Sequence, residues 1–478
     1  MKPSIVWFRD DLRVRDNPAL RAAVDDGAAV ALYVLDEESH GIRPHGGAAK
    51  WWLHHSLAAL REDLDKLGIP LLLRRGPAAE VVRKTTTAAG AGALYWNRRY
   101  GEVERTIDAG IKAWAGDEGL HVESFQASLL HEPWKITTKT GGQYKVFTPF
   151  WRAVSAQEFR EPLAIPAKGH GYGGKLPAYD DLDSWHLLPT RPDWSGGLAE
   201  RWTPGSDAGH RRLRDFVANG LSGYKDGRNR PDVDGSSSLS PYLRWGELSP
   251  FEVWHALGTK RSDSATIFAS ELGWREFCWH QYFHNPTLAT ANLRTEFDRF
   301  PWAWPGASGS SSDGRHPGHE SAPEEFEAWQ KGLTGFPMVD AGQRQLWHTG
   351  WMHNRVRMVA ASFLVKNLGI HWQLGEQWFW DTLVDADPAS NPANWQWVAG
   401  SGADASPFFR IFNPEAQRTR FDPHGKYIAH WIPEFGTPDY PAEIVDLKTS
   451  RQDALDAYKE LREVHLGLPA AAGCPSGI

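Results

Sequence analysis

The opening stretch SIVWFRDDLRVRDNPAL, residues 4–20, joins a short apolar run at 4–8, rich in β-branched residues, to a charged turn and a helix start. Similar apolar runs recur at 29–35, 70–73, 93–96 and 121–125, and segments of helical period fill the intervals near 17–26, 48–67, 77–89 and 102–116. Strands that alternate with helices of this length predict right-handed crossovers and a parallel sheet. We therefore expect an α/β domain over residues 1–130.

The turn after the first run carries no glycine-rich phosphate cradle. The sequence there is FRDDLRVRDNP, which matches neither G-x-G-x-x-G nor a Walker-type loop. The sheet therefore need not bind the main cofactor.

The rest of the chain changes character twice. Residues 131–200 are rich in Pro and Gly and weakly periodic, which indicates a long interdomain connection that wraps the surface. Residues 201–478 then predict an all-helical domain, with helices near 206–219, 249–258, 264–283, 323–331, 338–349, 354–367 and 374–384. A Gly/Ser-rich insert is expected at 305–323, and only a short tail after Asn413.

Composition excludes several classes of protein. The 478 residues include 52 Lys and Arg against 59 Asp and Glu, a net charge of -7, which argues against a uniformly basic nucleic-acid coat but allows a local basic groove. No apolar run approaches the roughly 18 residues of a membrane span, so we expect no membrane contact and a cytoplasmic location. Two cysteines are too few for a four-cysteine zinc or iron-sulfur site. The 25 Trp outnumber both the 12 Tyr and the 21 Phe.

The loop SGYKDGRNRPDVDGSSSLS at 222–240 has the composition of a phosphate site. Small residues let the backbone approach an anion, hydroxyls donate hydrogen bonds, and Lys225, Arg228 and Arg230 add positive charge. A solvated loop that ends in a helix cap has the same composition, so both interpretations remain open.

The segment ELGWREFCWHQYFH at 271–284 places Glu271, Trp274, Arg275 and Cys278 on one helical face. An acid and an arginine beside an indole are unusual in a core. His280 and His284 have the spacing of a metal pair, but no third ligand is evident. We expect structural histidines and no metal.

Two later segments carry charge. Residues 341–372 contain Arg344, Arg355, Arg357 and Lys366 and no acid, which predicts a local basic surface or an amphipathic helix with a solvated arginine face. In DTLVDADPASNPANWQWVAG at 381–400, two carboxylates and a cluster of aromatic rings fit either hydrolytic chemistry or core packing.

Taken together, these segments closely resemble the photolyase/cryptochrome flavoprotein family, nearest to its class I cyclobutane pyrimidine dimer photolyases. The resemblance rests on GSSSLSPYLRWGELSP at 235–250, WREF at 274–277, TGFPMVDAGQRQLWHTGWMHNRVRM at 334–358 and DADPASNPANWQW at 385–397. It implies a Rossmann-like antenna domain followed by a large helical domain that binds FAD and DNA.

The resemblance also implies the residues that hold FAD. Arg357 and Asp385 would pair over the isoalloxazine, Asp387 would lie near the ribityl chain and Asn391 would face the flavin N5. The pyrophosphate region would be held by Tyr224, Ser236, Ser237, Ser238, Leu239 and Ser240, and Ala386 would be a further contact.

Three tryptophans match the family's electron-transfer chain. Trp395 would be proximal to the flavin, Trp372 the middle member and Trp302 the surface exit. Trp304 competes with Trp302 for that last position.

Cyclobutane pyrimidine dimers are the substrate that the motifs favour. Members that repair them use the residues matched by Glu271, Trp274, Asn354, Met358 and Trp397, with Arg275 and Arg355 as further DNA contacts. Two rings can sandwich an extruded dinucleotide while an acid and an amide bond its base edges. The (6-4) branch has a histidine pair where this chain has Asn354, Arg355 and Met358, and plant-type cryptochromes usually carry aspartate at the Asn391 position.

The implied activity is light-dependent repair of UV-damaged DNA by a monomer. Photoexcited reduced FAD would donate an electron to the dimer, the ring would split, and the electron would return. Phosphate contacts would come from Lys225, Arg228, Arg230, Arg344 and Arg355. The alternatives are a blue-light-sensing cryptochrome and a light-independent electron-transfer flavoprotein.

An antenna chromophore is expected in the cleft between the domains. It would be methenyltetrahydrofolate or 8-hydroxy-5-deazaflavin. The chain keeps Glu104 and Arg105 of a folate-type pattern but has Val103 where that pattern has asparagine, and Lys50 is expected near the site of a deazaflavin.

Overall fold

The first part of the chain is a five-stranded parallel sheet with helices on both faces. The computed structural model describes residues 2–259, 261–305, 318–405 and 409–465. The strands are β1 Ser4–Phe8, β2 Ala29–Leu35, β3 Leu71–Arg75, β4 Ala93–Asn97 and β5 His121–Phe125, in the order β3-β2-β1-β4-β5. The helices between them are α1 Pro18–Asp26, α2 Gly47–Leu67, α3 Ala78–Ala88 and α4 Glu102–Asp117. The expected α/β fold is confirmed.

Alternation along the strands explains why both faces are covered. Val6 and Phe8 of β1 pack with α1 and α2 in the first core, which extends into the helical region, whereas Ile5 and Trp7 pack with α3 and α4. All five residues of β1 are buried, as expected for a central strand of a parallel sheet. The order of the strands reverses between β1 and β4, and the carboxyl ends of these two strands form a crevice suited to a ligand.

The connection at 131–200 is more ordered than its composition predicts. It contains α5 Phe147–Ser155, in which Phe150 and Val154 are fully buried. These two side chains pack against Phe277 of the later helical region. The expectation of a chain that only wraps the surface is therefore wrong for α5, whose helical period is hidden by neighbouring Pro and Gly residues.

From residue 196 onward the described structure is helical, as expected for residues 201–478. The helices are α6 Gly196–Arg201, α7 Ser206–Asp215, α8 Tyr224–Gly227, α9 Ser240–Arg244, α10 Pro250–Ala256, α11 Asp263–His284, α12 Ala322–Lys331, α13 Pro337–Thr349, α14 Asn354–Ser362, α15 Trp372–Thr382, α16 Ser390–Ala399, α17 Pro414–Phe421, α18 Lys426–Trp431 and α19 Leu447–His465. The last three contradict the expected short tail after Asn413. Tyr427, Ile428 and Leu461 are buried in the hydrophobic core formed by helices of the later part of the chain. Of the insert expected at 305–323, residues 306–317 lie outside the described residues.

The segment between α9 and α10 joins the two regions. Gly246 has φ +62°, and a Cβ there would meet the main-chain oxygen of Asp10 at 2.1 Å. The fully buried Arg13 donates to the main-chain oxygen of Gly246 at 2.8 Å. Next to it, Glu247 accepts hydrogen bonds from the Trp52 indole (3.2 Å) and the Gly205 amide (2.7 Å). Glu247 is fully buried, and burial raises its pKa to about 8 despite these donors.

We expect the free energy of unfolding to fall as pH rises through the range governed by Glu247. The unfolded chain loses this proton near the ordinary value of 4.5, whereas the folded protein keeps it up to about pH 8. The stabilisation is complete below the lower value, declines by about 1.4 kcal/mol per pH unit and is gone above the higher one. Urea unfolding between about pH 5.5 and pH 7.5 should show this slope, and Glu247→Gln should be flatter by the same amount. Equal slopes in both proteins would contradict the assignment.

Candidate functional site

A cavity of about 490 Å³ opens in the helical region between α11, α14, α15 and α16. Its walls bring together thirteen of the predicted site residues, which are Ser240, Glu271, Trp274, Arg275, Asn354, Arg355, Arg357, Met358, Asp385, Ala386, Asn391, Trp395 and Trp397. Arg228 and Cys278 line it as well. This volume is in the range of cofactor and ligand sites.

The face of α11 predicted from spacing forms one wall of this cavity. Trp274 is stacked on Phe147 of α5, with ring centroids 3.7 Å apart and an interplanar angle of 6°. One face of the indole is therefore covered, and its orientation is held by a residue of the connection. Phe147 has no local signal in the sequence, because it lies 127 positions before its partner in a segment that looks irregular.

Glu271 lies on the same wall beside a fixed cation. Its carboxylate is 2.6 Å from Arg228, and its side chain is 30% exposed. Burial raises the pKa of Glu271, and the Arg228 charge opposes that rise. The raised pKa means that Glu271 keeps its proton to a higher pH than an exposed glutamate does.

Arg357 and Asp385 form the ion pair that the resemblance implies. Arg357 Nη2 lies 2.9 Å from Asp385 Oδ2, and Ser240 donates its hydroxyl to the same oxygen at 2.6 Å. The Asp385 side chain is only 3% exposed, so both partners are needed to balance its charge. The pair provides a fixed guanidinium at the cavity wall.

The first turn of α14 presents Asn354, Arg355 and Met358. His353 begins this helix, because its Nδ1 accepts from the Arg355 amide at 3.2 Å. Burial, with Arg355 and Arg357 nearby, lowers the pKa of His353 to about 4, which keeps the ring neutral and able to accept. Because His353 and not a carboxylate caps this helix, the cap does not form an ion pair with Arg355 or Arg357.

Helix α16 carries three predicted residues that line the cavity. Asn391 is buried, and its amide donates to Glu376 of α15. Trp395 packs on Gly375, where a Cβ would meet the indole at 2.2 Å. Trp397 lies two positions further along and is half-buried. Glycine at 375 therefore allows α15 and α16 to approach closely enough for Trp395 to reach the cavity.

The three tryptophans proposed for electron transfer lie in one region, but the outermost is not at the surface. Trp302 is 3% exposed and donates to the main-chain oxygen of Val365 at 3.0 Å, so the expected surface exit is wrong for this residue. The His371 ring lies 5.2 Å from Trp302, 4.7 Å from Trp304 and 5.7 Å from Trp372, measured between centroids. Trp304 is half-buried and reaches closer to solvent. Sequence reasoning did not identify His371.

Several residues expected around the pyrophosphate and the ribityl chain of FAD lie outside the cavity wall. Tyr224 packs between Phe216 and Phe268, and Leu239 is in the first core. The carbonyls of Ser236 and Ser237 accept from Arg212, and Ser238 has φ +52°. Asp387 accepts from the amides of Ala389 and Ser390 at the start of α16. Their roles toward FAD stay predictions.

The basic surface expected at 341–372 is wrong. Lys366 is 2% exposed and donates to the Ala399 carbonyl, Arg344 pairs with Glu434 at 2.6 Å, and Arg357 pairs with Asp385. The partners come from other parts of the chain, so a segment without acids is not a surface without acids. Lys225 and Arg230 are likewise paired, with Asp263 and Asp232. Arg355 contacts Asn229 at 2.8 Å and lines the cavity.

A second cavity, of about 510 Å³, lies in the cleft between the sheet and the helical region. It occupies the crevice at the carboxyl ends of β1 and β4, where Asp10 bridges Arg99 (2.7 Å) and Arg244 (2.8 Å). Two indoles, Trp279 and Trp380, line its opposite side. Glu104 lines this cleft, whereas Lys50 pairs with Glu37 at 3.0 Å and is absent from its described lining.

The first cavity suits a flavin nucleotide. It combines a fixed guanidinium, a buried amide, a hydroxyl and aromatic walls, and the buried Trp395 Nε1 has no hydrogen-bond partner among the described residues. Within the described ranges, no group of three or more His, Cys, Asp or Glu side chains is placed to hold a metal. None of the helices in the described part of the chain is long and apolar enough to cross a membrane.

The fold and the cavity define a two-region flavoprotein, with a parallel α/β sheet ahead of a helical cofactor domain. Residues 4–167 match the family model for DNA photolyase, and residues 268–438 match the model for the FAD binding domain of DNA photolyase. The chain belongs to the photolyase/cryptochrome family.

Individual relatives cover most of the chain. A deoxyribodipyrimidine photo-lyase from Agrobacterium fabrum is 45% identical, over 96% of this chain and 98% of the relative. Cryptochrome-1 from Arabidopsis thaliana is 36% identical, over 90% of this chain and 63% of the relative. A crystal structure of a bacterial class III photolyase from Agrobacterium tumefaciens superposes with a TM-score of 0.89 at 44% identity, over 97% of this chain and 98% of that one. The likeness therefore extends to both photolyases and cryptochromes.

Proposed function

We propose that this protein is a light-dependent DNA repair enzyme that splits cyclobutane pyrimidine dimers with reduced FAD bound in the helical cavity. One observation carries the proposal. The residues expected to hold the flavin, Arg357, Asp385 and Asn391, share a single cavity with the two tryptophans expected to hold the lesion. The relatives named deoxyribodipyrimidine photo-lyase support the same activity.

FAD, when bound and reduced, would supply the photoexcited electron that opens the cyclobutane ring and would take that electron back afterwards. The chain positions the reactants. Trp274 and Trp397 offer ring faces to the extruded dimer dinucleotide, and Met358 offers a polarisable apolar contact. Arg357 offsets negative charge on a reduced flavin, and the apolar wall around Trp395 excludes water.

The decisive experiment is incubation of the purified protein with a thymine-dimer oligonucleotide under blue light and in darkness. Loss of the dimer only in light is expected. A protein that binds and photoreduces FAD but repairs nothing would contradict the proposal. That result would favour a blue-light receptor, the alternative supported by the 36% identity to a plant cryptochrome.

We expect Trp274→Ala and Trp397→Ala each to weaken binding of dimer-containing DNA between about 5- and 150-fold, since base stacking on an aromatic ring contributes about 1–3 kcal/mol. Both variants should retain FAD. Trp347→Ala is the matched control, because Trp347 is 54% exposed and is not among the side chains that line the cavity. Fluorescence anisotropy with damaged and undamaged duplexes measures the effect. Unchanged affinity for damaged DNA in both variants would exclude the sandwich.

We further propose that the interdomain cleft holds the antenna chromophore. Its two indoles can stack on a planar pigment, and Arg43 and Glu104 add polar contacts. Either methenyltetrahydrofolate or 8-hydroxy-5-deazaflavin remains a candidate. The absorption spectrum of the pigment released by denaturation distinguishes the two.

A further inference from the structure

The orientation of the Asn391 side chain is determined by what it contacts on α15. Its Nδ2 donates to the main-chain oxygen of Glu376 at 3.0 Å and to Glu376 Oε1 at 2.8 Å. A main-chain carbonyl can only accept, and an ionised carboxylate can only accept. The NH₂ edge of the amide must therefore face Glu376, which leaves Oδ1 as the atom that can serve the cavity.

Glu376 is itself held from the other domain. Its side chain is 2% exposed, so its charge needs a partner. Arg43, in the segment between β2 and α2, makes two parallel bonds to it, Nη1 to Oε1 at 2.7 Å and Nη2 to Oε2 at 2.9 Å. The Arg43 guanidinium also stacks on Trp380, 4.1 Å from the ring centroid. A bidentate, stacked arginine has little freedom to release the carboxylate.

We propose that Arg43 and Glu376 are positioning residues that keep the Asn391 carbonyl oxygen, rather than its NH₂ group, directed at the flavin. This inference rests on the proposed function, because it takes FAD to occupy the cavity with N5 near Asn391. An N5 that carries hydrogen is a donor and matches a carbonyl oxygen. An N5 without hydrogen is an acceptor and does not. This orientation of the Asn391 amide thus favours the N5-protonated forms of the cofactor.

Two substitutions change the contacts from Arg43 to Glu376 and from Glu376 to Asn391 in different ways. Glu376→Gln keeps the shape of the side chain but adds an NH₂ donor, which can bond Asn391 Oδ1 and permits the amide to turn over. Arg43→Met leaves Glu376 buried without its cation, so the carboxyl takes up a proton and becomes a donor. Both changes leave the Glu376 main-chain oxygen as the one group of the pair that still requires the NH₂ edge to face α15, so the preference for this orientation weakens.

The test is a pH titration of the one-electron-reduced flavin, whose N5-protonated and unprotonated forms absorb differently. We expect Glu376→Gln and Arg43→Met to lose the N5 proton at least tenfold more readily, a shift of about one pH unit or more relative to the parent. Arg43→Lys keeps the charge and should recover part of the shift. Asp381→Ala is the matched control, because Asp381 is on the same helix and contacts the first domain through the Gly47 amide (2.7 Å) without contacting Asn391.

The outcomes separate the two proposals. A parent protein that binds no FAD would overturn the proposed function and this inference with it. A parent that binds FAD, with Glu376→Gln titrating at the parental pH, would overturn the inference alone. If Arg43→Met does not fold, the isosteric Glu376→Gln decides. A shift of equal size in Asp381→Ala would assign the effect to a general loosening of the interface and would also overturn it.

Discussion

Replacing Trp395 by phenylalanine should reduce light-driven reduction of oxidised FAD to the rate seen in darkness, while repair by protein reduced beforehand continues. Trp395 lines the cavity proposed to bind FAD. Its ring centroid lies 4.9 Å from that of Phe379 and 6.2 Å from that of Trp329. An indole can hold the positive charge left by electron donation, whereas a benzene ring cannot readily do so. The decrease in the absorption of oxidised flavin over the time of illumination measures the rate.

Trp395 gives a cleaner test than the other two tryptophans of the chain. Its Nε1 has no hydrogen-bond partner among the described residues, so phenylalanine leaves no acceptor unpaired. The same change at Trp372 would leave Asn292 Oδ1 unpaired, and at Trp302 the Val365 carbonyl. Trp185→Phe serves as the control, because Trp185 is buried in the first core. A parental rate in Trp395→Phe would exclude this residue as the proximal donor.

Arg357→Met should cost about 3 kcal/mol of unfolding free energy and abolish FAD binding at micromolar protein. The variant leaves Asp385, which is 3% exposed, without its cation. Removing one partner of a buried pair is expensive because the other charge stays buried. Urea unfolding of the apoprotein and titration with FAD measure the two effects separately.

The double variant Arg357→Met/Asp385→Asn distinguishes a structural role from a cofactor role. Asparagine can still accept from Ser240, and no charge is left buried, so most of the stability should return. Affinity for FAD should not return, since the guanidinium is still missing. Recovery of both properties together would show that Arg357 acts only on the fold.

The sheet could be predicted because its signals are local. Three of the five strands begin and end at the predicted residues, since short β-branched runs between helices have few alternative structures. Helix α5 was not predicted because Pro and Gly surround it, and α16 because Pro392 lies within its first turn, where proline is tolerated. The helices after Asn413 were missed as well.

The candidate site, like the fold, contains residues that could be predicted from the sequence and residues that could not. Spacing alone placed Glu271, Trp274 and Arg275 on one face, and the family resemblance placed the ion pair. Phe147, Arg43 and Glu376 carry no local pattern, since each acts on a residue that is distant in sequence or on another element. The expected basic surface failed for a related reason, because the acids that neutralise Arg344 and Arg357 lie elsewhere in the chain.

The Arg43 contact has a consequence for how such proteins can be recombined. A helical half separated from its sheet would carry the Glu376 carboxylate beside Asn391 with no counter-ion, since the cation comes from the other half. Exchanging the first domain between relatives would therefore conserve the flavin environment only when the incoming domain supplies a positive charge at this position. The two regions are therefore linked by this ion pair as well as by the continuous chain.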